Sequence, residues 1–122
     1  LSVEFAREAI GRCGCIQKLA RMETCPDFES FMKATMNELV NQVWEQEIKW
    51  GEDEVFVENH YCPLVAAWQK LTDDDERLAE LCDIAMDGDR GLFDKPLMKF
   101  ELIQTLGEGA PTCQMRFTKI KE

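Results

Sequence analysis

The chain has 122 residues, 45% of them hydrophobic, enough for a single domain spanning 1–122 with its own core and no disulfide staples. With 24 acidic against 14 basic side chains, the formal net charge of -10 gives no electrostatic footprint for nucleic acid or an anionic membrane, and neither partner is expected. Residues 1–15 lack the basic start, long apolar run and small-residue cleavage site of an export signal, and no stretch approaches about 18 consecutive apolar residues. A cytoplasmic location is expected, where the six cysteines would be reduced thiols.

Along residues 3–20, Ala6, Ala9, Ile10, Cys13 and Ile16 recur at helical spacing, although Gly11 and Gly14 weaken that helix. Its apolar face could cover a second copy of the chain, so a homodimer is expected as one arrangement. Thr24-Cys25-Pro26-Asp27 breaks the helix, and Asp27 is placed to cap the next one. Phe28, Phe31, Met32, Thr35, Met36, Leu39, Val40 and Val43 then keep the i, i+3, i+4, i+7 pattern of one core helix, with Gly51 as its stop signal.

Val55, Phe56 and Val57 favour a strand, and Pro63 suits the first turn of a short helix through Leu71, which puts Cys62 at a strand-to-helix junction. Thr72 and Asp75 read as a capping box for a helix carrying Leu78, Leu81, Cys82, Ala85 and Met86 on its inner face. The run Asp87-Gly88-Asp89-Arg90-Gly91 reads as its end. From Met98 onward, Phe100, Leu102 and Gln104 alternate with Lys99, Glu101 and Ile103, as in a half-buried strand. After the turn at 107–111, Cys113, Met115 and Phe117 alternate in the same way. The order ααβααββ predicts an α+β fold, an antiparallel sheet with helices packed on one face.

Cys62, Cys82 and Cys113 thus all fall on inward positions. A deprotonated thiol is a strong nucleophile, and thiolates together with imidazole are ligands preferred by zinc and iron–sulfur clusters. Buried cysteine is also a common inert core residue, and separations of 20 and 31 residues form no short chelating loop. His60, the only histidine, alternates with Tyr61 and is expected to share a face with Cys62. Cys13 and Cys15 diverge on a helix, and Cys25 reads as a loop residue. Glycine-rich phosphate loops and dinucleotide fingerprints are missing from the sequence.

The run His60-Tyr61-Cys62-Pro63-Leu64, then Leu81-Cys82 with Asp87 downstream, then Leu106-Gly107-Glu108-Gly109 and Cys113-Gln114-Met115-Arg116-Phe117 resembles the L-2-amino-thiazoline-4-carboxylic acid hydrolase family. The resemblance covers about the last half of the chain. It departs from the family pattern at Glu108-Gly109, where a Gly-Asp pair is usual, and at Gln114, where Asp is common. More distantly, the arrangement resembles the 4-vinyl reductase type of small-molecule-binding domain.

The family resemblance implies hydrolysis of a C–N bond in a small cyclic amidine, giving a carbamoyl-cysteine. Two mechanisms are expected. In one, Cys62 is a nucleophile assisted by His60; in the other, Cys62, Cys82 and Cys113 hold Zn2+ or an iron–sulfur cluster. Asp83 or Asp87 would move protons in either case. The alternatives are a non-catalytic small-molecule- or metal-binding domain, such as a sensor or carrier, and a redox partner with exchangeable thiols.

Overall fold

The computed structural model describes residues 2–121. Its elements are α1 (Val3–Met22), α2 (Phe28–Thr35), α3 (Glu38–Val43), β1 (Gln46–Trp50), β2 (Glu54–Asn59), α4 (Pro63–Gln69), α5 (Asp75–Leu92), β3 (Met98–Gln104) and β4 (Cys113–Lys119). A 3-10 turn, Leu106–Glu108, lies between the last two strands. The four strands form one antiparallel sheet in the order β1-β2-β4-β3, the α+β architecture expected.

Alternation along the strands separates the two faces of the sheet. Val55, Val57, Met98, Met115 and Phe117 point inward and are covered by Phe28, Phe31 and Met32 of α2 and by Phe93 beyond α5. Phe93 packs edge-on to Phe117 at 4.7 Å between ring centres, a favourable aromatic geometry. The opposite face is polar, with Arg116 bridging toward Glu54 at 3.1 Å and Glu101 at 3.9 Å.

The long second helix expected from the apolar pattern is broken. Asn37 caps a new helix by accepting the Val40 N–H on Oδ1 at 3.1 Å, a local bond that competes with continued helix. Glu45 then turns the chain at φ 48°, and Gln46–Trp50 pairs with β2 as an edge strand in the register Glu47↔Glu58 and Ile48↔Val57. Along this strand Gln46 and Ile48 are half-buried while Glu47 and Lys49 are exposed, a period of two too short to stand out from the preceding helical pattern.

The glycines that weaken two helices on propensity are where those helices meet. A Cβ on Gly14 of α1 would lie 2.1 Å from the Gly88 carbonyl oxygen of α5, and one on Gly91 would lie 2.4 Å from the Gly11 carbonyl oxygen. Backbone contact this close requires glycine, and the packing it permits outweighs the helix-propensity cost of about 1 kcal/mol per glycine. Two expectations change as a result. First, α5 runs through Gly88 and Gly91 to Leu92. Second, α1 turns Gly14 inward and leaves Cys13 and Ile16 exposed. The cap of α5 is Asp74, which accepts from the Glu76 and Arg77 N–H groups, and Thr72 accepts the Asp74 N–H one step earlier.

Candidate active site

Where β2 ends and β4 begins, the sheet stops short of the helices and leaves a cavity of about 390 Å³. This volume is within the usual range for small-molecule sites. Cys62, Cys82 and Cys113 all line it, each delivered by a different element. Cys13 and Cys15 are exposed on α1, and Cys25 packs at the edge of the main core.

Cys62 is the N-cap of α4, and its Sγ accepts the Val65 N–H at 3.4 Å. A sulfur in this position faces the positive end of the first-turn amides, and the hydrogen bond strengthens when sulfur carries charge. The other two thiols serve the turn between β3 and β4. Cys113 Sγ accepts the Leu106 N–H at 3.2 Å, yet burial pushes its thiol up to about 11. Burial likewise raises the Cys82 thiol, with partial offset from hydrogen bonds by the Thr105 side chain and the Gly107 backbone. Gly107 is there because a Cβ would lie 2.2 Å from that of Cys82. Both thiols are thus held in the protonated form near neutrality.

The structure places His60 elsewhere. After Asn59 the chain bends, and His60 is on the outer side of the sheet with Nε2 3.0 Å from Glu47 Oε1 and 3.7 Å from Glu58 Oε1. Glu58 is fixed there by donation from Thr112 at 2.7 Å and Gln114 at 3.0 Å, which holds its carboxyl below the usual range. The alternation that suggested a shared face for His60 and Cys62 ends where β2 ends.

Asp83 and Asp87 are also outside the cavity. Arg7 of α1 and Arg90 of α5 clamp them across the helix pair, with Asp83 oxygens at 2.7 Å from Arg90 and 2.5 Å from Arg7. Hydrogen bonding to Arg90 and then Arg7 holds the Asp83 carboxyl below its ordinary value. A carboxylate so paired is poorly suited to carrying protons.

The carboxyl that does line the cavity is Asp89. Desolvation raises it to about 6, and Arg90 offsets only part of that effect. A carboxyl near neutrality can both accept and donate a proton. A helix ending at 87–91 would leave Asp89 in a turn; because α5 continues to Leu92, Asp89 falls on the same stripe as Cys82 and Met86.

A metal tripod would need sulfurs about 3.8 Å apart, given Zn–S bonds of about 2.3 Å. Among the described residues, the group of three His, Cys, Asp or Glu ligand atoms within 4.8 Å of one another is Glu47, Glu58 and His60, not the three thiols. In this arrangement the thiols do not fit a closed tripod.

The fold and cavity together define a small α+β domain in which a thiol at the start of a helix and a carboxyl raised to about 6 line one cavity. Residues 2–117 match the family described as L-2-amino-thiazoline-4-carboxylic acid hydrolase. The chain belongs to that family, and the match extends well beyond the C-terminal motifs that carry the sequence resemblance. Comparison with curated proteins gives no match. Among the described residues no helix is long and apolar enough to cross a membrane.

Proposed function

We propose that the protein hydrolyses a C–N bond of a small cyclic amidine such as 2-amino-thiazoline-4-carboxylate, with Cys62 as nucleophile and Asp89 as proton carrier. The observation that carries this reading is the presence of Cys62 and Asp89 on one cavity, the first at a helix N-terminus and the second near neutrality. The family is named for this hydrolysis, which gives the substrate class its weight.

The residues support a balanced sequence of two steps. Asp89 accepts the Cys62 proton as sulfur adds to the amidine carbon, and passes it to the ring nitrogen. The exocyclic nitrogen then re-forms a double bond to that carbon and loses a proton, which moves to the ring nitrogen as the ring C–N bond breaks and an amine leaves. Water next adds to the carbon bound to Cys62. Loss of a proton from the added hydroxyl restores a carbonyl, the Cys62 S–C bond breaks, and the thiol regains its proton. One water is consumed and a carbamoyl-cysteine is released.

The test is ring opening of 2-amino-thiazoline-4-carboxylate, followed by mass spectrometry of the product. Cys62→Ser should abolish turnover with an unchanged thermal unfolding profile, since serine is close in size but far less nucleophilic. Equal turnover in Cys62→Ser and the parent protein would remove the mechanism. Parent protein that binds the thiazoline without opening it would instead be a non-catalytic binding domain.

A further inference from the structure

The cavity carries two charged side chains, Arg21 and Asp89, and they do not neutralise each other. The positive charge acting on Asp89 is that of Arg90. One guanidinium nitrogen of Arg21 donates to Thr35 Oγ1 at 2.8 Å, and its central carbon lies 5.9 Å from the Phe31 ring centre. Among the described residues, ion pairs engage Arg7, Arg12, Arg77, Arg90 and Arg116 but not Arg21. A guanidinium has five N–H donors in a planar fork, so Arg21 is held in place with donors to spare.

Elsewhere on the cavity the polar groups have the opposite need. Asn59 is 5% exposed, and its Oδ1 has no hydrogen-bond partner. Gln46 Oε1 is buried and unpartnered as well. Both residues line the cavity. A buried acceptor without a donor has lost its hydration with nothing in return, a cost removed when a ligand supplies the N–H. Asp89, when ionised, is a third acceptor.

We infer that the cavity selects a zwitterion, with Arg21 taking the ligand's carboxylate and Asn59, Gln46 and Asp89 taking the N–H groups of its amidine. Arg21 is then the specificity-determining residue that separates acid-bearing amidines from plain ones. The inference rests on the amidine-hydrolase reading and extends it by assigning the two poles of the substrate to named side chains. A planar carboxylate suits the guanidinium fork, and amidine N–H groups suit carbonyl and carboxylate oxygens.

The experiment compares two ligands, 2-amino-thiazoline-4-carboxylate and 2-amino-2-thiazoline, which lacks the acid. Binding is followed through the fluorescence of Trp44 and Trp68, both of which line the cavity, and turnover is measured in parallel. The parent protein should prefer the acid. Arg21→Gln should weaken binding of the acid about ten- to a hundredfold and raise KM more than it lowers kcat, with binding of the plain amidine within about twofold of the parent. Arg21→Lys should recover part of the loss, and Asn59→Leu should weaken both ligands.

Equal affinity of the parent for the two ligands would overturn the inference, as would an Arg21→Gln variant that binds the acid unchanged or loses both ligands equally. Parent protein that shows the full binding pattern without turnover would uphold the inference and remove the catalytic reading. No binding of either ligand to the parent would remove both.

Discussion

Asp89 stands two helical turns beyond Cys82 on α5, and both side chains line the same cavity. Burial raises the Asp89 carboxyl from 3.8 to about 6, so the folded protein holds that proton more tightly than the unfolded chain does. The associated stability is complete below about pH 4 and is lost as pH rises through about 6. Asp89→Asn should remove this dependence and stabilise the protein at pH 7–8 by about 1–3 kcal/mol, measured by urea unfolding across pH. Turnover should fall by about 10²–10⁴ in the same variant. An unchanged difference in stability between pH 4 and 7 would show that Asp89 does not titrate in this range.

Asp83 is the contrasting case, a carboxylate held on the surface by Arg90 and Arg7. Asp83→Asn should leave turnover within about twofold of the parent and cost about 1 kcal/mol or less, because exposed ion pairs contribute little. A hundredfold loss of kcat would return a proton-transfer role to this residue.

The helix pair makes a steric prediction. Gly14→Ala should destabilise the fold by about 2–3 kcal/mol, since its Cβ would lie 2.1 Å from the Gly88 carbonyl oxygen and the helices must part. Gly11→Ala meets its nearest atom at 3.8 Å and should be neutral or stabilising by up to about 1 kcal/mol. Chemical denaturation of the two variants checks both signs, and equal effects would show that the contact does not discriminate between them.

Thiol chemistry should divide the cysteines by environment. Brief alkylation at pH 8, read by peptide mass spectrometry, should label the exposed Cys13 and Cys15 first and leave Cys113, raised to about 11, unmodified until the protein unfolds. Early labelling of Cys113 in the native protein would contradict its burial.

Strand alternation, helical spacing and capping residues made much of the fold legible before the structure. Met115 and Phe117 face inward as their period of two requires, and Asp27 caps α2 through the Ser30 N–H. Local signals failed where tertiary contact reversed them. Gly14 and Gly91 are unfavourable for helix in isolation and necessary once two backbones touch. The edge strand β1 has little apolar content, so its pairing partner β2 defines it more than its own composition does.

For the candidate site, the sequence by itself determined which residues were chemically able: three thiols on inward faces, one of them at a strand-to-helix junction. Only the tertiary structure decided their company, because side chains become neighbours through the packing of elements distant in the chain. The bend after Asn59 sent His60 to the outer side of the sheet, and the arginines of the helix pair took Asp83 and Asp87. Continuation of α5 through its glycines carried Asp89 to the cavity, and the close approach of α1 brought Arg21 to it. No local period encodes the distance between α1 and the end of β2, and that distance is what makes one site of them.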